Sequence, residues 1–218
     1  VTDPPASAKV THRRVLRIAG PIVVSNATIP ILGAVDTGVV GQLGAAAPIG
    51  AVGLGAIILS AVYWVFGFLR MGTAGLAAQA RGAGDAAEEA ALLSRALIVA
   101  GAAGAGIIVL SPLWILGAFA LAPGSAEVEW LARDYVGVRV WSAPAAIAVY
   151  GITGWLIAQE RTRGVLILQV GMNGINILLD LVFVLGFGWG VQGVAVATFI
   201  AEWTGSGIGL WFCRDALR

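Results

Sequence analysis

The sequence predicts an all-α, polytopic membrane protein with six transmembrane helices. Hydrophobic residues make up 59% of its 218 positions and charged residues only 11%, whereas soluble domains carry about 25% charged residues. The mean hydropathy is +0.91, and the apolar residues fall in runs long enough to cross a hydrocarbon core of about 30 Å. Glycine contributes 31 residues, which suits close helix packing among membrane lipids.

Six apolar runs define the predicted spans. We expect them at about 15–40, 49–80, 96–121, 136–158, 165–185 and 194–212, which together form one membrane domain over 15–213. A polar tail over 1–14 precedes them, and a short polar end over 214–218 follows. Pro21 and Pro30 interrupt the first span. Because proline removes a backbone donor from a helix, they predict that this helix is bent.

Turn-forming residues separate the later spans, as glycine and proline commonly do. The second span starts after Pro48 and ends in a turn at 82–85, and an amphipathic lead-in with Glu88 and Glu89 precedes the third. A Pro-Gly turn at 123–124 and an amphipathic, interfacial stretch at 125–135 come before the fourth. The polar loop QERTRG at 159–164 and the glycine-rich GFGWGVQG at 186–193 flank the fifth.

The distribution of basic residues predicts that both termini are cytoplasmic. An even number of spans puts both ends on one side of the membrane, and basic residues favour the cytoplasmic side. Arg133 and Arg139 fall on the opposite side. The other eleven fall on the side of the termini: Lys9, Arg13, Arg14, Arg17, Arg70, Arg81, Arg95, Arg161, Arg163, Arg214 and Arg218. We therefore expect a multi-pass protein of the inner (plasma) membrane.

The inventory of reactive side chains argues against an enzyme. His12 is the single histidine and lies in the predicted tail, and Cys213 is the single cysteine. No Ser/His or Cys/His catalytic pair can be built inside the membrane from these residues, and a cysteine metal cluster is excluded. We expect no cofactor, no bound metal beyond a coupling ion, and no nucleic-acid partner.

Three acids lie inside predicted spans, and the one in the fifth span ends a polar stripe. Gln169, Asn173, Asn176 and Asp180 are spaced i, i+4, i+7 and i+11, so they share one helical face. Such a face must meet protein or water, not lipid. A carboxylate beside amides can hold a proton, coordinate Na⁺ or bind a cationic solute. The alternative is structural, with the amides hydrogen-bonding to neighbouring helices.

The other candidate residues also have two interpretations. Asp36 in the first span is either a buried functional acid or a cap at the outer end of its helix. Glu202 in the sixth span is either functional or a buried acid paired with a neighbouring hydroxyl or arginine. Tyr135, Tyr150 and Thr153 add polar contacts from the region of the fourth span, or serve packing and interfacial anchoring.

Four stretches resemble the multidrug and toxin extrusion (MATE) family, in particular its DinF-like branch. They are DTGVVGQLG (36–44), FGFLRMGTAGLAAQARGAGD (66–85), WLIAQERTRG (155–164) and NGINILLDLVFVLGFGWGVQGVAVATFIAEW (173–203). The resemblance runs from about residue 17 to 212. It implies the N-terminal six-helix lobe of a two-lobe, cation-coupled antiporter that exports amphipathic, often cationic drugs or toxins.

The resemblance also implies roles for particular residues. Asp36, Asn176 and Asp180 match positions that take part in H⁺ or Na⁺ coupling in the family, and Asn173 supports them. Many relatives carry an asparagine in the fourth helix, but none lies between 130 and 160 here, so Tyr150 or Thr153 is expected to substitute. The coupling ion stays open between H⁺ and Na⁺. A second six-helix lobe or another copy of the chain is the expected partner, together with a small-molecule substrate.

Two alternatives remain beside the antiporter. The first is a flippase for lipid-linked saccharides of the same superfamily, which would need basic residues to meet a pyrophosphate. The predicted spans contain almost no Lys or Arg, which disfavours it. The second is a non-transporting membrane scaffold, which the stripe of amides ending in an acid disfavours.

Overall fold

The computed structural model describes residues 12–217, except for the side chains at 13–15, 17, 18 and 29. The predicted tail up to residue 11, including Lys9, and the terminal Arg218 therefore lie outside the described residues. The described chain is helical throughout, with short turns between the helices.

Nine α-helices form the described fold. They are α1 (His12–Gly41), α2 (Ala46–Trp64), α3 (Phe68–Ala83), α4 (Ala86–Val109), α5 (Ser111–Leu121), α6 (Ala126–Arg139), α7 (Ala143–Ala158), α8 (Thr162–Asp180) and α9 (Gly190–Cys213). The 3-10 turns Val65–Gly67 and Val140–Ser142 join α2 to α3 and α6 to α7, and the π-helical segment Leu181–Gly186 extends α8. A last 3-10 turn, Arg214–Ala216, follows α9.

Five of the described segments are long and apolar enough to cross a membrane. They are Ala19–Gly41, Ala46–Ala83, Ala86–Val109, Ala126–Ala158 and Thr162–Gly186. They correspond to the first five predicted spans, and α9 corresponds to the sixth. Helix α9 is not among the five, because Gln192, Thr198 and Glu202 lower its hydropathy. The all-helical membrane fold is thus confirmed.

The third predicted span forms two helices. Helix α4 begins at Ala86, where the sequence analysis placed the start near 96. Asp85 caps it by accepting a hydrogen bond from the Glu88 backbone N–H at 2.9 Å, and carboxylates in the first turn favour a helix N-terminus. The helix ends at Val109, and α5 starts with Pro112 in its first turn, the position where a missing N–H costs nothing.

The fourth predicted span is also longer than expected. Helix α6 begins at Ala126, so the stretch expected to be a separate interfacial turn is continuous with the span. The Ser125 hydroxyl accepts from the Val128 N–H at 3.4 Å, and Glu127 and Glu129 lie in the first turn. Pro144 lies in the first turn of α7, directly after the short 3-10 turn Val140–Ser142.

Helix α7 occupies the centre of the bundle. It packs against α3, α4 and α9, while α8 packs between α9 and α1, and α2 packs along α6. Small residues allow the closest approaches. A Cβ added at Gly104 of α4 would lie 2.5 Å from the Pro144 Cα of α7, and one at Gly151 would lie 2.9 Å from the Ala96 Cβ. The core of the bundle is therefore built around the backbone of α7.

Polar contacts define the two ends of the bundle. At one end, Gln159 accepts a hydrogen bond from Arg81 and donates to the Glu89 carboxylate at 2.8 Å. At the other end, Gln192 donates to Asp134 at 3.1 Å. Each contact joins helices that are distant in sequence. Gln159 thus lies with Arg81 and Glu89 at one end, and Gln192 lies with Asp134 at the other.

Replacing Gly104 with alanine should destabilise the bundle. The added Cβ has backbone atoms of Pro144 at 2.5 Å, and overpacking of this kind costs about 1–3 kcal/mol. Gly106 in the same helix has no atom within 4 Å of an added Cβ, so Gly106→Ala is the matched control and should be neutral or slightly stabilising. Thermal unfolding in detergent compares the two; equal midpoints would contradict the close packing.

Candidate functional site

A cavity of about 300 Å³ opens between α1, α2, α3, α6, α7, α8 and α9. Among the residues singled out from the sequence, four line it: Tyr150, Thr153, Gln169 and Glu202. The sequence analysis did not single out several other lining residues: Ser25, Asn26, Ser60, Tyr63, Trp64, Arg70 and Arg139. The cavity is therefore mixed, with hydroxyl, amide, aromatic and charged groups on its wall.

A buried ion pair forms one side of the cavity. The Arg139 Nη2 donates to the Glu202 Oε1 at 2.7 Å, and the two side chains are only 10% and 15% exposed. The pair joins the end of α6 to the middle of α9. Each charge would be costly alone at this depth, and each cancels most of the cost of the other. For Glu202, the pairing with an arginine is thus the observed arrangement.

Two tyrosines fix the position of Arg139. Its Nη1 donates to the Tyr135 hydroxyl at 2.7 Å, and the Tyr63 hydroxyl of α2 donates to the Arg139 carbonyl at 3.0 Å. Tyr135 is buried and lies against Gly55 of α2, where an added Cβ would be 2.5 Å from its ring. Tyr135 therefore supports the cavity from behind; it does not line it.

The polar stripe of α8 lies between α1 and α9. Gln169 donates to the Asn173 Oδ1 at 3.4 Å, and Asn173 donates to the Thr28 hydroxyl of α1 at 2.6 Å. Asn173 and Asn176 are both buried, with 4% and 1% exposure. The stripe thus faces protein, as the cost of burying polar groups in lipid requires.

Asn176 bridges α9 to Asp180. Its amide lies 3.0 Å from the Thr198 hydroxyl of α9. In the amide orientation that satisfies both neighbours, the nitrogen donates to the Asp180 Oδ2 at 3.3 Å and the oxygen accepts from Thr198. The Thr198 backbone and side chain therefore set the position of the amide, and the amide in turn holds the acid.

Asp36 and Asp180 meet at the outer part of the stripe. Their side chains interact at the contact between α1 and α8. Asp180 is fully buried, and within the described residues its Oδ1 has no hydrogen-bond partner. Two ionised carboxylates close together repel each other, so a shared proton would stabilise this contact.

The backbone changes its geometry directly after Asp180. Helix α8 ends at this residue and continues as the π-helical segment Leu181–Gly186. Single π-helical turns inside helices are found frequently at functional sites. Asp180 therefore sits where the helix widens, opposite the part of α1 that carries Asp36.

Two arginines that the sequence analysis assigned to loops belong to the cavity. Arg139 was counted on the outer side and Arg70 on the cytoplasmic side, but both lie in continuous spans and line the cavity. The inference that the spans contain almost no basic residues was therefore wrong. The predicted spans 49–80 and 136–158 already contain these two arginines, but the sequence analysis counted them only for the sidedness of the loops.

Neutralising one partner of the buried ion pair should destabilise the fold. Arg139→Gln leaves Glu202 charged and unpaired, at an expected cost of about 3–5 kcal/mol. The double variant Arg139→Met with Glu202→Leu removes both charges and should recover most of that loss. Arg95→Gln, which breaks an exposed pair with Glu88, is the control and should cost under about 1 kcal/mol.

Thermal unfolding in detergent compares the wild type with Arg139→Gln, the double variant and Arg95→Gln. A separate double-mutant cycle combines Arg139→Gln with Glu202→Gln. Near-additive losses in that cycle would contradict a direct interaction between the two side chains.

The fold and site define a class of protein before any comparison. A multi-pass helical bundle with a cavity, a buried ion pair and two interacting acids has the features of a membrane transporter lobe. Residues 21–182 match the sequence profile of the MatE family, and the chain belongs to that family. The resemblance drawn from the four sequence stretches is thereby confirmed.

Two similar curated proteins place the chain within the family. It is 40% identical over 201 residues to DNA damage-inducible protein F of Escherichia coli (strain K12), covering 92% of this chain and 44% of that protein. It is 29% identical over 206 residues to the probable multidrug resistance protein NorM of Synechocystis, covering 88% and 42%. The chain spans less than half the length of these relatives.

Solved structures share the fold. A MOP superfamily transporter from Pyrococcus furiosus has a TM-score of 0.84 at 23% identity, covering 94% of this chain and 45% of that chain. An outward-facing multidrug resistance MATE family transporter has a TM-score of 0.83 at 23% identity, covering 92% and 44%. The chain thus has the fold of about half of such a transporter. Proteins of this family are transporters rather than enzymes.

Proposed function

We propose that this chain is one lobe of an antiporter driven by H⁺ or Na⁺ that exports amphipathic, often cationic compounds across the inner (plasma) membrane. The observation that carries the proposal is the carboxyl pair of Asp36 and Asp180, held between α1 and α8 beside a cavity. Two of the similar proteins are described as multidrug resistance proteins, and this supports the proposal that the chain belongs to an exporter.

The proposed coupling step is a change in the charge of this acid pair. A proton or Na⁺ that enters from outside neutralises the pair, and departure of the ion toward the cytoplasm restores a negative charge. A charged pair attracts a cationic group and a neutral pair releases it. Such a ligand shifts the equilibrium only through its different affinities for the two states. Asn173 and Asn176 hold the geometry through Thr28 and Thr198.

A second lobe, or another copy of the chain, completes the proposed transporter. Alternating access in transporters of this kind comes from rocking one half against the other around a central site. The cavity described above lies beside α1, α2 and α3, whose exposed large apolar residues include Val23, Trp64 and Phe68. These residues offer surface for lipid and for the other half.

One structural observation favours the flippase alternative. Arg70 and Arg139 line the cavity, where a lipid-linked pyrophosphate would need basic groups. Glu202 neutralises Arg139, however, so a single unbalanced guanidinium faces a group with at least two negative charges. The acid pair also has no role in flipping a pyrophosphate. Antiport therefore accounts for more of the site.

Fixing either acid in its neutral form should abolish coupling. Asp180→Asn and Asp36→Asn keep the size of the side chain and its hydrogen-bonding capacity, but neither can exchange a proton. In the full-length protein in proteoliposomes, we expect substrate efflux to become independent of an imposed pH or Na⁺ gradient.

The matched control for both variants is Asp134→Asn. Asp134 accepts a hydrogen bond from Gln192 at the end of the bundle, and an asparagine oxygen can accept the same bond. Gradient-driven efflux should continue in this variant. Normal coupled efflux in both acid variants, with wild-type thermal stability, would remove the pair from the mechanism.

The proposed topology is tested by cysteine labelling. Cysteines at Ala46 and Ala83 lie at opposite ends of the segment formed by α2 and α3 and are exposed. The native Cys213 is fully buried, so its background should be low. A membrane-impermeant maleimide applied to intact cells should label Ala46→Cys, whereas Ala83→Cys and Arg163→Cys should react only after permeabilisation. The reverse pattern would place the termini outside.

A further inference from the structure

The charges on the cavity wall do not balance. Of the charged residues that line it, Arg139 and Glu202 neutralise each other across 2.7 Å, and Arg70 is the third. Within residues 12–217, Arg70 forms no ion pair with a carboxylate. The wall of the cavity therefore carries a net charge of about +1, by the formal charges of these three side chains.

The backbone at Arg70 is held in place by packing. An added Cβ at Gly154 of α7 would collide with the Arg70 carbonyl oxygen, so α3 and α7 are in close contact at this residue. The packing fixes the point from which the Arg70 side chain extends, and a fixed backbone reduces the conformational freedom that is lost when a ligand binds.

Two aromatic side chains line the same cavity as Arg70. Trp64 is 80% exposed although it is a large apolar residue, and Tyr150 is half-buried. An exposed indole in the same cavity as a cation can take the apolar body of a compound whose charged group meets the arginine. Guanidinium binds carboxylate, sulfonate and phosphate groups with charge-assisted hydrogen bonds.

The acid pair does not cancel the charge of Arg70. Asp36 and Asp180 interact electrostatically with Arg139, and neither lines the cavity. Arg139 is already bound to Glu202. The cavity wall therefore keeps the formal positive charge of Arg70, and the two acids lie outside the residues that line it.

From this arrangement we propose that the cavity binds the anionic group of an amphipathic compound at Arg70, with the apolar part of the compound against Trp64 and Tyr150. The inference rests on the proposed function only in treating the occupant as a transport substrate, and it adds amphipathic compounds that carry an anionic group, zwitterions included, to the substrate class proposed above.

Three fluorescent compounds with one common body test the proposal. Dansylglycine carries a carboxylate, dansylglycinamide is its neutral counterpart, and dansylcadaverine carries an amine. Their dissociation constants are measured by fluorescence titration on the full-length protein in phosphatidylcholine nanodiscs, with empty nanodiscs subtracted. Dansylglycine should bind about tenfold more tightly than dansylglycinamide, the effect of one charge-assisted hydrogen bond.

Substitutions at Arg70 assign the preference to that residue. Arg70→Gln should reduce the tenfold preference to about one, while Arg70→Lys keeps the charge and should retain part of it. Arg163→Gln, an exposed arginine of α8 outside the cavity, should leave it unchanged. Equal binding of acid and amide by the wild type, tightest binding of dansylcadaverine, or an undiminished preference in a folded Arg70→Gln variant would each overturn the proposal.

Nanodiscs that contain phosphatidylglycerol separate two sources of the anionic group. Arg70-dependent competition by this lipid would identify a lipid headgroup as the occupant, and undiminished dansylglycine binding would identify a soluble compound. Both results retain the anion site. Binding is measured without a gradient, so the two proposals can fail separately. Loss of coupled efflux with an intact preference for dansylglycine would contradict only the proposed antiport. Coupled efflux without that preference would contradict only the anion site.

Discussion

The ion pair between Arg139 and Glu202 is the interaction on which the architecture of the cavity depends. It joins α6 to α9 at a depth where neither charge is tolerated alone. The Tyr135 hydroxyl of α6 accepts a hydrogen bond from the same guanidinium, and the Tyr63 hydroxyl of α2 donates to the backbone carbonyl of Arg139, so three spans meet at one residue. Arg139 and Glu202 thereby form part of the cavity wall.

Helix α1 depends on polar contacts more than the other spans do. Only 12% of the most apolar window of Ala19–Gly41 is buried, against 67% for Ala126–Ala158. Its polar links to α8 run through Thr28 and Asp36. The contacts of Thr28 and Asp36 therefore connect α1 to α8 where its apolar burial within the chain is small.

Small residues complete the design by bringing backbones together. Gly55 makes room for the ring of Tyr135, and Gly154 lets α7 approach the backbone at Arg70. In a bilayer the apolar environment gives little drive for helices to associate, so such close contacts contribute much of the packing. Gly55 and Gly154 therefore bring helices together, and they also position Tyr135 behind the cavity and the backbone of Arg70.

The sequence by itself determined the helical membrane class, the family and the polar face of α8, because hydropathy, local motifs and helical periodicity are properties of neighbouring residues. Asp36 and Asp180 were identified singly as well. Their contact, the partner of Glu202 and the place of Arg70 and Arg139 in the cavity were decided by tertiary structure. These residues are separated by tens of positions, and only the packing of α1 against α8 and of α6 against α9 brings the two pairs together. A charged residue near the end of an apolar run looks like a loop residue until a partner from another helix is found for it.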